Sequence, residues 1–145
     1  MSTKEVQDAI YKNMEAWKKI ENASVASTGQ VIEKTTNPVI RLVMEIIQHD
    51  SQMHYRVQEF IQRSLKEKAV SMTPDELEKV WKLVENHIKI EEKTMKMAKA
   101  SLEALKKRKM VVCEYLINYL LKDEKKHNDL LAEMATIKKG MYPYG

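Results

Sequence analysis

Residues able to end a helix are rare in this chain. Three Gly and three Pro, set among many Lys, Glu, Met, Leu, Ile and Ala, leave few places for a tight turn in 145 residues. Long helices are what such a sequence can form. The breaks that exist are clear: Thr35-Thr36-Asn37-Pro38 interrupts one apolar periodicity, and Pro38 suits the first turn of the helix that follows. Thr73-Pro74-Asp75-Glu76 joins an N-cap hydroxyl, a first-turn proline and a Glu placed to reach back, and Ser2 with Glu5 forms a second capping box. Gly140 closes the last helix. The pattern predicts four helices over about 3–33, 38–65, 74–107 and 110–137, in a single domain 1–140 with 141–145 as a flexible tail.

The inward faces follow from near-helical spacing. Val6, Ile10, Met14, Trp17, Ile20 and Val25 mark the first helix, and Ile40, Val43, Met44, Ile47, His54, Val57 and Ile61 the second. Leu77, Val80, Trp81, Val84, Ile88, Glu91, Met95, Ala98, Leu102 and Leu105 do so for the third. A chain of this size can bury a core without disulfides or structural zinc. Cys113, the single cysteine, excludes an internal disulfide, and its apolar surroundings predict a buried thiol suited to a reducing compartment.

The net charge of +4 does not point to nucleic acid, because Lys and Glu are interleaved along most of the chain as on solvated helix faces. Lys106-Lys107-Arg108-Lys109 is the one concentrated basic run, and its place at an expected helix C-terminus is explained by the helix dipole. No window approaches eighteen uninterrupted apolar residues, and the N-terminus lacks the basic and apolar regions of a signal peptide. A cytoplasmic protein with no membrane and no nucleic-acid partner is the expectation. Glycine-rich phosphate loops and nucleophile elbows are absent from the sequence.

Set against itself, the chain shows two related halves. Thr3, Lys12, Glu15, Lys19, Ile20 and Glu21 recur at an offset of 70 as Thr73, Lys82, Glu85, Lys89, Ile90 and Glu91. Further on the offset becomes 73, pairing Val39 with Val112, Asp50 with Asp123 and His54 with His127. A duplicated helical hairpin accounts for order, spacing and chemistry together, with a longer first arm in the second copy.

Chemistry-bearing residues lie on this repeat. Glu124 and His127 stand three apart, so on a helix an oxygen and a nitrogen donor aim the same way. A diluted copy occurs in His49-Asp50-Ser51-Gln52-Met53-His54. At about 1.5 Å per residue, Glu21 lies some 20 Å before the first turn and His54 a similar distance after it; Glu91 and His127 stand likewise around the second. Glu21, His54, Glu91, Glu124 and His127 are therefore the predicted metal ligands, with hard oxygen and borderline nitrogen donors that suit iron or manganese, and zinc as well. His87, one turn before Glu91, is a candidate extra nitrogen.

These residues resemble the ferritin-like di-iron carboxylate proteins, including rubrerythrins and related ferroxidases, over essentially the full chain. In that family one Glu comes from each of two helices and a Glu-x-x-His motif from each of the other two. The resemblance implies an all-α, ferritin-like antiparallel four-helix bundle in which Glu21 and Glu91 are the lone carboxylates. Glu124 with His127 matches one full motif, and His54 matches the second histidine. Asp50 and Asp123 resemble the acidic residue that hydrogen-bonds a ligating imidazole from behind. It further implies one or two iron ions and oxidation of ferrous iron by dioxygen or peroxide, a ferroxidase or peroxidase type of activity.

Ser51 departs from the pattern, since a neutral hydroxyl stands where the sixth ligand belongs. One metal position is weakened by it, and a non-enzymatic helical interaction or stress-response scaffold with a structural or degenerate site is the alternative. The short link between the second and third helices, roughly 65–72, spans at most about 25 Å and strains a ferritin-type crossover. An up-down-up-down monomer and a homodimer exchanging hairpins are the two solutions, and the dimer is favoured.

Overall fold

The structure, a computed structural model, describes residues 1–67 and 72–140. The expected tail at 141–145 and most of the link between the second and third helices lie outside the described residues. Every regular element among those described is an α-helix: α1 (Thr3–Lys34), α2 (Pro38–Lys66), α3 (Pro74–Ala104) and α4 (Val111–Lys138).

The starts are set by local chemistry. The Ser2 hydroxyl accepts from the Glu5 amide while Glu5 takes the Ser2 amide at 2.8 Å, and Thr73 with Glu76 repeats the reciprocal pair at α3. At α2 the Asn37 side chain accepts from the Val39 and Ile40 amides ahead of Pro38.

The chain divides into two units, Met1–Ser71 and Met72–Gly145, each a pair of packed helices. In the first, Arg41 reaches the Ile32 carbonyl, Gln48 the Val25 carbonyl, Ser51 meets Ser24, Gln58 meets Glu21, and Gln62 meets Tyr11 and Glu15. Partners on α1 fall in number as those on α2 rise, so the two helices run side by side in opposite directions. In the second unit Glu91 faces His127, and Lys138 near the end of α4 meets Glu78 near the start of α3 at 2.9 Å.

Each seam follows a seven-residue rhythm. Met14, Glu21 and Thr28 are the buried residues of α1, Ser51 and Gln58 lie seven apart on α2 with Gln62 beside them, and α3 buries Leu77, Glu91 and Ala98. Most of these positions are polar, which is unusual for a helix seam. Ser51, Gln58 and Gln62 offset part of that cost with the hydrogen bonds just described, each worth about 1 kcal/mol net, while Gln58 Oε1 is buried without a partner.

Three sequence expectations are corrected. The third helix ends at Ala104 rather than near 107, because Leu105, Lys106 and Arg108 turn back by i→i−3 bonds to Leu102, Glu103 and Leu105 and Lys107 adopts a left-handed φ of 66°. Cys113 is exposed, as are Val111, Val112 and Tyr115 around it, and partial burial in α4 begins only at Leu116. The apolar stripe of α1 is wider than its seam: Met14 is buried, whereas Val6, Ile10, Trp17 and Ile20 are exposed, Ile20 at 65 %.

The change of offset has a definite place. The ends of α1 and α3 differ by 70 residues and the starts of α2 and α4 by 73, so the extra three residues lie in the connection 105–110, against 35–37 in the first unit, and not in a longer helical arm.

Candidate metal centre

Glu91 occupies a seam position on α3, so helix geometry carries its carboxylate into the space between α3 and α4, with only 9 % of the side chain exposed. One turn earlier His87 brings its Nε2 to 2.8 Å from Glu91 Oε1. From α4, His127 Nδ1 approaches the same oxygen at 3.4 Å, and Glu124, one turn before His127, sets its Oε2 3.7 Å from that nitrogen. The other ring nitrogen faces a carboxylate: His127 Nε2 stands 3.4 Å from Asp123 Oδ2. The tautomer with its proton on Nε2 would direct the Nδ1 lone pair at the two glutamates.

Ligand atoms of Glu91, Glu124 and His127 all lie within 4.8 Å of one another. Glu91 Oε2 and Glu124 Oε2 are buried and have no hydrogen-bond partner. Two carboxylates facing each other out of water cannot both carry charge unless something positive lies between them. In the protein alone the upward shift of Glu124 favours a proton in that role. Contact with Glu91, then burial, holds Glu124 above the ordinary carboxylate range, while contact with Glu124 and the His87 hydrogen bond hold Glu91 below it. A divalent cation would serve the same two oxygens without the proton. Two oxygens and one imidazole nitrogen fit iron, manganese or zinc.

The first hairpin builds less. Glu21 is buried at the matching seam position, and His54 Nδ1 lies 3.6 Å from its Oε1. Where Glu124 stands in the second hairpin, buried Ser51 shares a 2.7 Å hydrogen bond with Ser24. The hydroxyl pair closes the seam and leaves no third charged donor. Gln58, one turn beyond His54, donates from Nε2 to Glu21 Oε1 at 3.3 Å.

The five predicted ligands thus form two groups, Glu21 with His54 and Glu91 with Glu124 and His127. Asp123 Oδ2 lies 3.4 Å from the His127 imidazole, no such contact joins Asp50 to His54, and His49 is exposed. Sequence reasoning passed over Ser24, Gln58 and Thr94, whose hydroxyl donates to the Glu91 carbonyl at 2.8 Å. Ser24 and Thr94 are related by the offset of 70, and Gln58 follows Ser51 by seven residues, so both the repeat and the seam rhythm carried the signal.

None of the described helices is long and apolar enough to cross a membrane. Comparison of the chain with protein-family models, with curated proteins and with solved structures finds no match.

Proposed function

We propose that this protein binds a divalent metal, iron foremost, through Glu91, Glu124 and His127, and that it oxidises ferrous iron with dioxygen or peroxide as ferritin-like di-iron carboxylate proteins do. The observation that carries the reading is the pair of buried, unpartnered carboxylate oxygens beside an imidazole whose far side is held by Asp123.

The residues have distinct tasks. Glu124 yields its proton as a cation arrives, Glu91 offers the oxygen that the imidazoles do not use, and Asp123 keeps His127 in the ligating orientation. When bound, iron supplies the one-electron change and an open coordination position for the oxidant.

In its full form the proposal includes an antiparallel four-helix bundle of two duplicated hairpins, in which Glu21 and His54 complete a second, weaker position. Its support is the apolar row beside each seam: Ile10, Trp17 and Val31 on α1, Ile40 and Ile47 on α2, and Leu83, Ile90 and Met97 on α3 are all exposed large hydrophobics at seven-residue spacing. A hairpin whose seam is mostly polar gains its stability by covering such rows. A homodimer that exchanges hairpins belongs to the same proposal.

Anaerobic titration with ferrous iron followed by oxygen tests the function. Saturable binding and an oxygen-dependent rise in near-ultraviolet absorbance are expected, both lost in Glu124→Ala; absence of saturable binding overturns it. A scaffold with a degenerate site is the second reading, favoured by the Ser24–Ser51 hydrogen bond where a carboxylate would be needed.

A further inference from the structure

The first hairpin has Trp17 at the position that the offset of 70 relates to His87, and Ser51 at the one that the offset of 73 relates to Glu124. Neither an indole nor a neutral hydroxyl is a fit ligand for a divalent cation. The second hairpin has an ionisable donor at both places, and they lie on the same side of the chemistry: His87 Nε2 is 2.8 Å from Glu91 Oε1, the oxygen that His127 Nδ1 also approaches.

We propose that His87 is a further metal ligand, so that α3 and α4 alone offer one ion two imidazoles and two carboxylates. The inference rests on the metal reading of Glu91, Glu124 and His127 and deepens it. Residues four apart on a helix can hold a single ion, as the paired histidines of zinc-binding helices do. A nitrogen and an oxygen bound at about 2.0–2.2 Å to one metal are about 3 Å apart, close to the separation already present between His87 and Glu91.

The imidazole needs little movement. In the present geometry it lies outside the 4.8 Å group, but its side chain is 54 % exposed, so rotation about χ1 and χ2 meets solvent over much of the ring. Ligation through Nε2 leaves the ring proton on Nδ1, and the Glu91 oxygen it releases becomes available to the same ion. Together with Ser51 and Trp17 this makes the protein asymmetric, with one four-donor position in the second hairpin and only Glu21 with His54 in the first.

The test uses the full chain and cobalt(II) under anaerobic conditions, read by visible ligand-field bands and by paramagnetically shifted, exchangeable imidazole N–H resonances at one equivalent. His87→Ala is expected to remove one such resonance, alter the ligand-field bands and weaken cobalt binding by about 10- to 100-fold. Circular dichroism of the variant checks that its helices are intact. Should affinity fall while the number of shifted resonances stays the same, His87 only positions Glu91 and the proposal fails. It fails equally if His87→Ala changes nothing while Glu124→Ala abolishes binding, and in that case the proposed function stands. Cobalt binding indifferent to Glu124→Ala overturns both.

Discussion

At the residue scale the chemistry turns on two glutamates brought together between α3 and α4 and held on opposite sides of the ordinary carboxylate range. Glu124 is raised, so its contribution to stability is present below the ordinary carboxylate range and is lost as pH rises through its folded value. Glu91 is lowered, so its contribution is present above that range and is lost as pH falls through its depressed value. At neutral pH the metal-free pair therefore carries the cost of Glu124. Replacing it by an amide that donates to Glu91 at every pH is expected to stabilise the metal-free protein by about 1 kcal/mol near neutrality while weakening metal binding. Urea denaturation of Glu124→Gln against the parent, with chelator present, measures the first effect. Metal affinity should rise with pH and level off above the raised Glu124 value, and the variant should release one proton fewer on binding, as calorimetry in buffers of different ionisation enthalpy would show. Asp123 acts only through His127, so Asp123→Ala is expected to cost about 10- to 100-fold in affinity, whereas Asp50→Ala should leave it unchanged.

At the scale of elements, the two hairpins differ in what fills the seam. The Ser24–Ser51 hydrogen bond occupies the positions that Thr94 and Glu124 hold in the second hairpin, where the two side chains meet, and one substitution tests the equivalence. Ser51→Glu should add a carboxylate beside Glu21 and His54 and raise the number of ions bound per chain; an unchanged stoichiometry in metal titrations would show that the first hairpin lacks more than this residue. Helix starts are local. Thr73→Ala removes the hydroxyl half of the α3 capping box and should cost about 1 kcal/mol of stability, read as a lower denaturation midpoint with metal absent. These starts were legible in the sequence because the cap and the backbone it satisfies lie within four residues. The end of α3 was not. Lys106 to Lys109 are good helix formers with no Gly or Pro among them, and the left-handed φ of Lys107 is imposed by the need to turn α4 back, which no local preference announces.

At the scale of the whole molecule the proposed bundle makes its own prediction. A bundle closed within one chain sediments as a monomer, while exchange of hairpins gives a particle of twice the 17.0 kDa chain mass. Sedimentation of the parent at several concentrations should give the larger mass, and a concentration-independent monomer removes the exchanged dimer from the proposal. Mixing Glu21→Ala chains with Glu124→Ala chains tests the same point chemically, since exchange can restore one intact combination of hairpins and a monomer cannot.

Four helices, the capped starts of α1 and α3, and the matching levels of Glu21 with His54 and of Glu91 with His127 were legible in the sequence alone. Each depends on counts along the chain: breakers, caps, and equal distances on either side of a turn. Tertiary packing decided which row of each amphipathic stripe became the seam, left Ile20 and Cys113 exposed, and put Glu91 and Glu124 face to face. A periodicity of 3.6 residues marks a stripe broader than one contact line, and only the neighbouring helix selects the residues that lose their water. Contact between the two carboxylates is what sets Glu91 and Glu124 apart, so the chemistry of the site could not be read before the helices were brought together.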